Sequence, residues 1–198
     1  MDENKVKYGL KNVHYAIATI SSDLKADFGT PKPWPGAVSL SLNPMGDSTA
    51  FYADDTVFFF APPASGYQGD LEIANVPEDV FESIFKDAVD QNGVTYEADG
   101  TEVAHIALLF EFSGDKKAVR HVLYNCTLTR PAIEGETRNE KNEPKPTKIS
   151  ISASTIYVEA LDKYIVKANT RTATSAQVYQ DWYKDVYIPT GTNVPTGE

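Results

Sequence analysis

Val119-Arg120-His121-Val122-Leu123-Tyr124-Asn125-Cys126-Thr127-Leu128-Thr129 is the stretch on which the fold turns. Val122, Tyr124, Cys126 and Leu128 fall two apart, so the spacing predicts a strand with these four side chains on one face. Upstream, Val103 to Phe112 is strongly apolar, and Ser113-Gly114-Asp115-Lys116-Lys117 between the two runs has the composition of a turn. Together they predict an antiparallel hairpin. Cys126 is the only cysteine and has no partner for an internal disulfide, so a buried thiol is expected there.

Working outward, Gly36 to Asn43 places Val38, Leu40 and Leu42 two apart with serines between them, the pattern of a half-buried strand. Asn43-Pro44-Met45-Gly46-Asp47 ends it, and the aromatic-rich run Phe51 to Ala61 is expected to return as its hairpin partner after an acidic connection over 43–50. Asp70 to Ala74 is a further short strand. From Val80 the period changes: Val80, Phe81, Ile84, Phe85, Ala88 and Val89 share one helical stripe. Pro77 suits a first turn, Glu78 and Asp79 favour the positive end of the helix dipole, and Asn92-Gly93 stops the chain, so a helix is predicted over 77–90. Residues 137–148, rich in charge and with two asparagines and two prolines, read as a solvated loop.

Lys148 to Val158 and Lys163 to Ala168 complete the strands, with Ile149, Ile151, Tyr164 and Val166 expected to face inward. Val178, Trp182 and Val186 predict a short C-terminal helix over 175–186, followed by a loose tail over 189–198. The fold class expected is mainly β: two packed antiparallel sheets, a β-sandwich or open barrel of seven or eight strands, with one flanking helix. The 198 residues suit a single domain, 1–198, with an N-terminal arm over 1–12.

Hydrophobic residues make up 41% and charged residues 23%, the balance of a globular chain. No apolar run reaches the roughly 18 residues of a membrane helix, and Met1-Asp2-Glu3-Asn4 is unlike the basic start of a signal peptide. Net charge is −10, and residues 1–100 carry all of it, with 16 Asp and Glu against 6 Lys and Arg. Such a chain is not expected to condense onto a phosphate backbone, which requires clustered Lys and Arg.

Motif chemistry is sparse. His14, His105 and His121 have no second ligand at metal spacing, and no Gly-x-Ser-x-Gly, phosphate-loop or dinucleotide glycine pattern occurs. Asp54 and Asp55, neighbours in a strand, point to opposite faces and do not serve one bond as paired acid and base unless the strand is bulged. With Asp47 they lack a calcium-loop pattern and read as a solvated acidic edge. No catalytic, metal or cofactor residue is assigned, and no enzyme activity is expected. The 11 Tyr, 9 Phe and 2 Trp suit a core and subunit interfaces, or alternatively a carbohydrate-binding β-sandwich platform.

Several stretches occur in a distinctive order: Lys5 to Ala16 (KVKYGLKNVHYA), Pro35 to Leu42 (PGAVSLSL) with Gly46-Asp47-Ser48, Phe51-Tyr52-Ala53-Asp54-Asp55, Gly66 to Ala74 (GYQGDLEIA), Leu108 to Phe112 (LLFEF), and Arg120 to Thr127 (RHVLYNCT). In this order they resemble the major tail proteins, or tail tube proteins, of siphophages infecting Gram-positive bacteria, and Tyr179 to Tyr183 is similar too. The resemblance spans nearly the whole chain. It implies a structural virion protein made in the host cytoplasm, six copies closing a ring, and rings stacking into a tail tube around a tape measure protein. Tail terminator and distal tail proteins would be further partners, and DNA would pass through without tight binding; no membrane is involved. A tube subunit of a phage-tail-like bacteriocin or secretion particle is the alternative with the same subunit physics.

Within that reading, Asp47, Asp54 and Asp55 are candidates for the lumen or a ring contact, where carboxylates repel phosphate. The N-terminal arm and the 43–50 connection are expected to reach neighbouring rings, through Lys5, Tyr8, Leu10 and Met45. Stacking the Lys-bearing second half of one ring on the acidic half of its neighbour would offset the repulsion of six acidic copies.

Overall fold

The computed structural model describes residues 4–46, 49–53, 56–61, 66–135 and 145–191, without side chains for the strands between 49 and 61. The strands are β1 (Lys7–Ile20), β2 (Ala26–Phe28), β3 (Lys32–Pro33), β4 (Ala37–Pro44), β5 (Thr49–Ala53), β6 (Thr56–Ala61) and β7 (Tyr67–Ile73), followed by helix α1 (Glu78–Ser83). Two short strands, β8 (Ala88–Val89) and β9 (Thr95–Tyr96), precede the long pair β10 (His105–Gly114) and β11 (Val119–Leu128). The chain ends its regular structure with β12 (Thr147–Ser154), β13 (Ile156–Val158), β14 (Lys163–Ile165), β15 (Lys167–Asn169) and helix α2 (Ala176–Asp181).

The architecture is mainly β, as the spacing implied, and every pairing is antiparallel. Nine strands form one sheet in the order β2-β1-β10-β11-β12-β7-β4, with β3 added to β1 and β15 to β11. The sheet curls until β4 comes alongside β1 without a ladder joining them, so the barrel stays open. The predicted hairpin of β10 and β11 is present, pairing Phe112 with Val119 and Ile106 with Cys126.

Both faces of the central strands are buried, which explains why β10 reads as an unbroken apolar run. Ile106, Leu108 and Phe110 point into the curl, where Val13, Tyr15, Leu71, Ile73, Ile149 and Ile151 meet them. Ala107 and Leu109 point outward, onto a second core closed by Ile156, Val158 and Trp182. α1 plugs one end of the curl with Val80, Ile84 and Phe85, and Tyr15 on β1 holds it by donating its hydroxyl to Asp79 at 2.8 Å.

The opening stretch is a strand, but its four apolar residues do not share a face. Val122 and Tyr124 belong to the outer core, and Cys126 and Leu128 to the inner one. A register shift lies between the Leu108–Leu123 and Ile106–Cys126 pairs, and one extra residue there exchanges the two faces. Asn125, buried at the shift, is satisfied by His105 Nδ1 at 2.7 Å and the carbonyl of Thr155 at 3.3 Å. At the same place β11 changes partner, from β15 over 121–123 to β12 over 125–128. Cys126 is fully buried, and burial pushes its thiol up to about 12.

Three further expectations are corrected. β4 pairs with β7, not with the 51–61 run, whose two halves form their own hairpin of β5 on β6. Gly69 permits the close approach of β4 and β7, since a Cβ there would overlap the Ser41 carbonyl oxygen. The helix predicted over 77–90 is limited to Glu78–Ser83 with Pro77 as its N-cap, because Lys86 takes a left-handed φ of 62° and Ala88–Val89 turns into a strand against β9. Asn92-Gly93 belongs to the β8–β9 turn, where Asp90 accepts the backbone N–H groups of Asn92 and Val94. Tyr164 is 63% exposed on β14 instead of facing inward.

The C-terminal helix α2 is also shorter than 175–186, yet its predicted contacts hold. Ser175 caps it by accepting from Val178 N–H, Trp182 is buried in the outer core, and Val178 and Val186 pack on that core. The predicted 137–148 loop and 189–198 tail lie largely outside the described residues. Thr147 and Lys148 already belong to β12.

Candidate assembly surfaces

The outer edge of the sheet is β4, whose eight residues, Ala-Val-Ser-Leu-Ser-Leu-Asn-Pro, carry no charge. Its only partner among the described residues is β7, and none of them pairs with the backbone groups on its other side. Val38 on this strand is 55% exposed. An uncharged, unpaired edge of this length is a template for pairing with another chain.

At the other side of the opening, β1 before Val13 pairs only with β10 among the described residues, because β3 reaches no further than His14 and the Trp34 N–H that follows it donates to the Val13 carbonyl at 2.7 Å. This stretch is irregular. Gly9 and Asn12 have positive φ, at 63° and 52°, and register shifts flank both. Bulges of this kind twist an edge away from flat pairing. The N-terminal segment is fastened to its own subunit from Asn4 onward: the Asn4 side chain accepts from Lys116 and Lys117 N–H, each at 3.0 Å, and Lys5 N–H donates to Asp115 at 2.8 Å.

Beside the β4 edge, inside the curl, lies a cavity of about 240 Å³ lined by Leu40, Leu42, Tyr67, Phe110, Phe112 and His121. His121 stacks on Phe110 at 5.1 Å and meets Phe112 edge-on at 5.6 Å. Its Nε2 is buried and has no hydrogen-bond partner among the described residues. Burial first, then the charges of Lys7 and Lys167, push the imidazole down to about 4, so it is neutral at pH 7. A neutral ring among phenylalanines serves here as packing.

The densest polar cluster joins residues far apart in sequence. Glu111, 7% exposed, receives Asn12 Nδ2 at 2.7 Å, Arg120 Nε at 3.0 Å and the Tyr183 hydroxyl at 3.2 Å. The Arg120 guanidinium lies over the rings of Tyr179 and Tyr183 and donates to the Tyr179 carbonyl, while His14 stacks on Tyr183 at 4.5 Å. Both carboxylate oxygens are occupied, so the cluster fastens the C-terminal segment to β1, β10 and β11 and offers no free base. In the sequence, Tyr179 to Tyr183 stood out only as part of the resemblance, and nothing there linked it to Glu111 or Arg120.

Of the residues singled out from sequence, Asp47, Asp54 and Asp55 lie outside the described residues. Lys5 and Tyr8 are exposed beside the β10–β11 turn, with Tyr8 opposite Ser113. Leu10 and Met45 are half-buried, Leu10 against the inner core and Met45 with its N–H on the Gly66 carbonyl. The structure does not bring these four together.

The acid of the first half is concentrated elsewhere. Residues 75–104, the segment between β7 and β10, hold eight Asp and Glu and one Lys, net −7. Seven of the eight, all but Asp87, are exposed. Arg130 at the end of β11 fastens this lobe, reaching Asp87 at 2.6 Å, Glu97 at 2.8 Å and the Phe85 carbonyl at 2.8 Å. Among the described residues no group of three or more His, Cys, Asp or Glu is placed to hold a metal ion. Comparison with models of known protein families found no match, and comparison with curated proteins found none either.

Proposed function

We propose that this chain is a self-assembling structural subunit of a tail tube, six copies closing a ring and rings stacking into a conduit through which DNA passes. The observation that carries the reading is β4: eight residues, uncharged, at the edge of the large sheet, with one side unpaired among the described residues. An edge of this kind is a hazard in a monomer and an asset in a ring. Pairing it with a different surface of the next copy is a heterologous contact, which closes on itself when the rotation between copies divides a full turn. The ordered likeness of its sequence stretches to siphophage tail tube proteins supports the same reading, and the acidic surface suits a passage that must not hold phosphate. The tape measure, terminator and distal tail proteins are the partners this role requires.

Negative-stain microscopy of concentrated protein tests the proposal. Rings and short tubes are expected for the natural sequence. A Val38→Lys, Asn43→Lys variant, which puts charge on two exposed edge positions, is expected to keep its far-ultraviolet dichroism and to lose the rings. A monodisperse monomer at high concentration, in both low and high salt, would refute the reading.

A further inference from the structure

We propose that the acidic lobe formed by residues 75–104 docks, in a head-to-tail contact, into the basic groove at the opposite end of a second copy of this chain. The inference rests on the tube reading for its biological setting, as the contact between successive rings, and on the structure for its two surfaces.

The lobe has the features of a contact, beyond a solvated acidic face. On the β8–β9 hairpin Val94 and Tyr96, two apart and so on one face, are 59% and 52% exposed, with Val89, 46% exposed, on the other face. Asp90, Glu97, Asp99 and Glu102, all exposed, belong to the same lobe, with Asp90 accepting from its own turn and Glu97 paired with Arg130. An apolar centre rimmed by charge of one sign is the usual layout of a docking patch, in which the rim selects a partner of opposite sign. The hairpin is also held in shape before any partner arrives, by the Asp90 turn and by Arg130 bridging Asp87 and Glu97.

The matching surface lies at the far end of β10. The lobe enters β10 at His105, and the groove flanks its other end, where Lys7 pairs with Gly114. Ten residues of strand separate them, about 30 Å at roughly 3.3 Å per residue. This groove, about 460 Å³, is lined by Lys7, Lys117 and Arg171 with Ala118, Val119 and Ala173 among them, and no acidic residue among the described ones lines it. Lys7 and Arg171 make no ion pair among the described residues, and Lys117 is spread over the ring of Tyr179 at 4.0 Å. Cations around a small apolar floor complement carboxylates around a small apolar boss. Because the two surfaces sit at opposite ends of one strand direction, the contact repeats from copy to copy along that direction and does not pair two copies face to face.

The test uses the full chain. Mixed light and heavy-nitrogen protein, treated with a carbodiimide at low salt, is expected to give zero-length links joining Glu97, Asp99 or Glu102 of one isotope to Lys7 or Lys117 of the other. Asp99→Lys, Glu102→Lys protein and Lys7→Glu, Arg171→Glu protein are each expected to self-associate about 10-fold more weakly or worse, and an equal mixture of the two to associate again. Raised salt should weaken the natural contact. If the natural protein forms tubes while both reversals leave them unchanged and no such links appear, the docking falls and the tube reading stands. Open chains carrying the links but never rings would keep the docking and overturn the tube. No association at any concentration overturns both.

Discussion

Replacing His121 by phenylalanine should remove a defined part of the protein's acid sensitivity. The imidazole lies between Phe110 and Phe112 in the mouth of the curl, and its affinity for a proton falls from the ordinary 6.5 to about 4 on folding. The charged groups shown to act on it are Lys7 on β1 and Lys167 on β15, both of which disfavour the proton. Unfolded chain therefore binds a proton at this site below pH 6.5, while folded chain resists until about pH 4. Stability is complete above 6.5 and is lost as pH falls through that window. At about 1.4 kcal/mol per pH decade the loss approaches 3 kcal/mol when the window is crossed, and is about 2 kcal/mol at pH 5. Urea unfolding followed by tryptophan fluorescence suits the measurement, because Trp34 and Trp182 are buried in the inner and outer cores. Between pH 7.5 and pH 5 the natural protein should lose about 2 kcal/mol more than the His121→Phe protein. Parallel stability profiles for the two would refute the reasoning, since they would mean that folding does not suppress protonation here.

Two more perturbations address the fastening of the sheet. Glu111→Ala leaves the Arg120 guanidinium without its carboxylate and the Asn12 and Tyr183 donors without their acceptor; a loss of about 3 kcal/mol in urea unfolding is expected, with earlier proteolysis after Ser175, and an unchanged midpoint would count against the cluster as a clamp. Gly69→Ala drives a Cβ into the Ser41 carbonyl oxygen, so β4 should separate from β7, costing about 1–3 kcal/mol. Amide exchange over Ala37–Pro44 should then rise well above that of β10, and equal protection in variant and natural protein would show that the strands can shift apart without cost.

Much of the fold was legible in the sequence, and the parts that were not have physical causes. Alternation located most of the principal strands, because a two-residue apolar period matches the pleat of a strand and no helical repeat. It misassigned the faces of β11 because Val122, Leu123 and Tyr124 are consecutive apolar residues between two buried layers; either phase of the alternation satisfies such a run, and a bulge leaves no mark in it. The partner of β4 was hidden for a different reason. Nearness in sequence favours pairing with the next run, yet β5 and β6 pair with each other and leave β7 to return against β4. The helix was read too long because Ala88 and Val89 continue its stripe; the stop is a left-handed Lys86, a residue type with no special liking for that conformation. Glu111 looked like one polar residue in an apolar strand, and its partners at 12, 120 and 183 meet only through tertiary packing.

Charge was legible in amount but not in place, and the reason bears on assembly. The acidic lobe is one continuous insertion, leaving β7 at Ile73 and entering β10 at His105, so a linear count of residues detects it. The basic groove is assembled from three separate stretches, at Lys7, at Lys117 to Val119 and at Asn169 to Ala173, each short enough to vanish in a neutral second half. What reads along the chain as an acidic half and a neutral half holds, in space, an acidic lobe at one end of β10 and a groove lined by Lys7, Lys117 and Arg171 at the other. The axis between those ends runs along the strands, whereas the open β4 edge faces across them. In the proposed tube, lateral and longitudinal contacts would therefore draw on different residues, Val38 and Asn43 for the first and Asp99, Glu102, Lys7 and Arg171 for the second. Under that proposal the subunit would close rings through backbone pairing, which salt scarcely weakens, and stack them through charge, which salt screens. Raising the ionic strength should accordingly part tubes into rings before it parts rings into subunits.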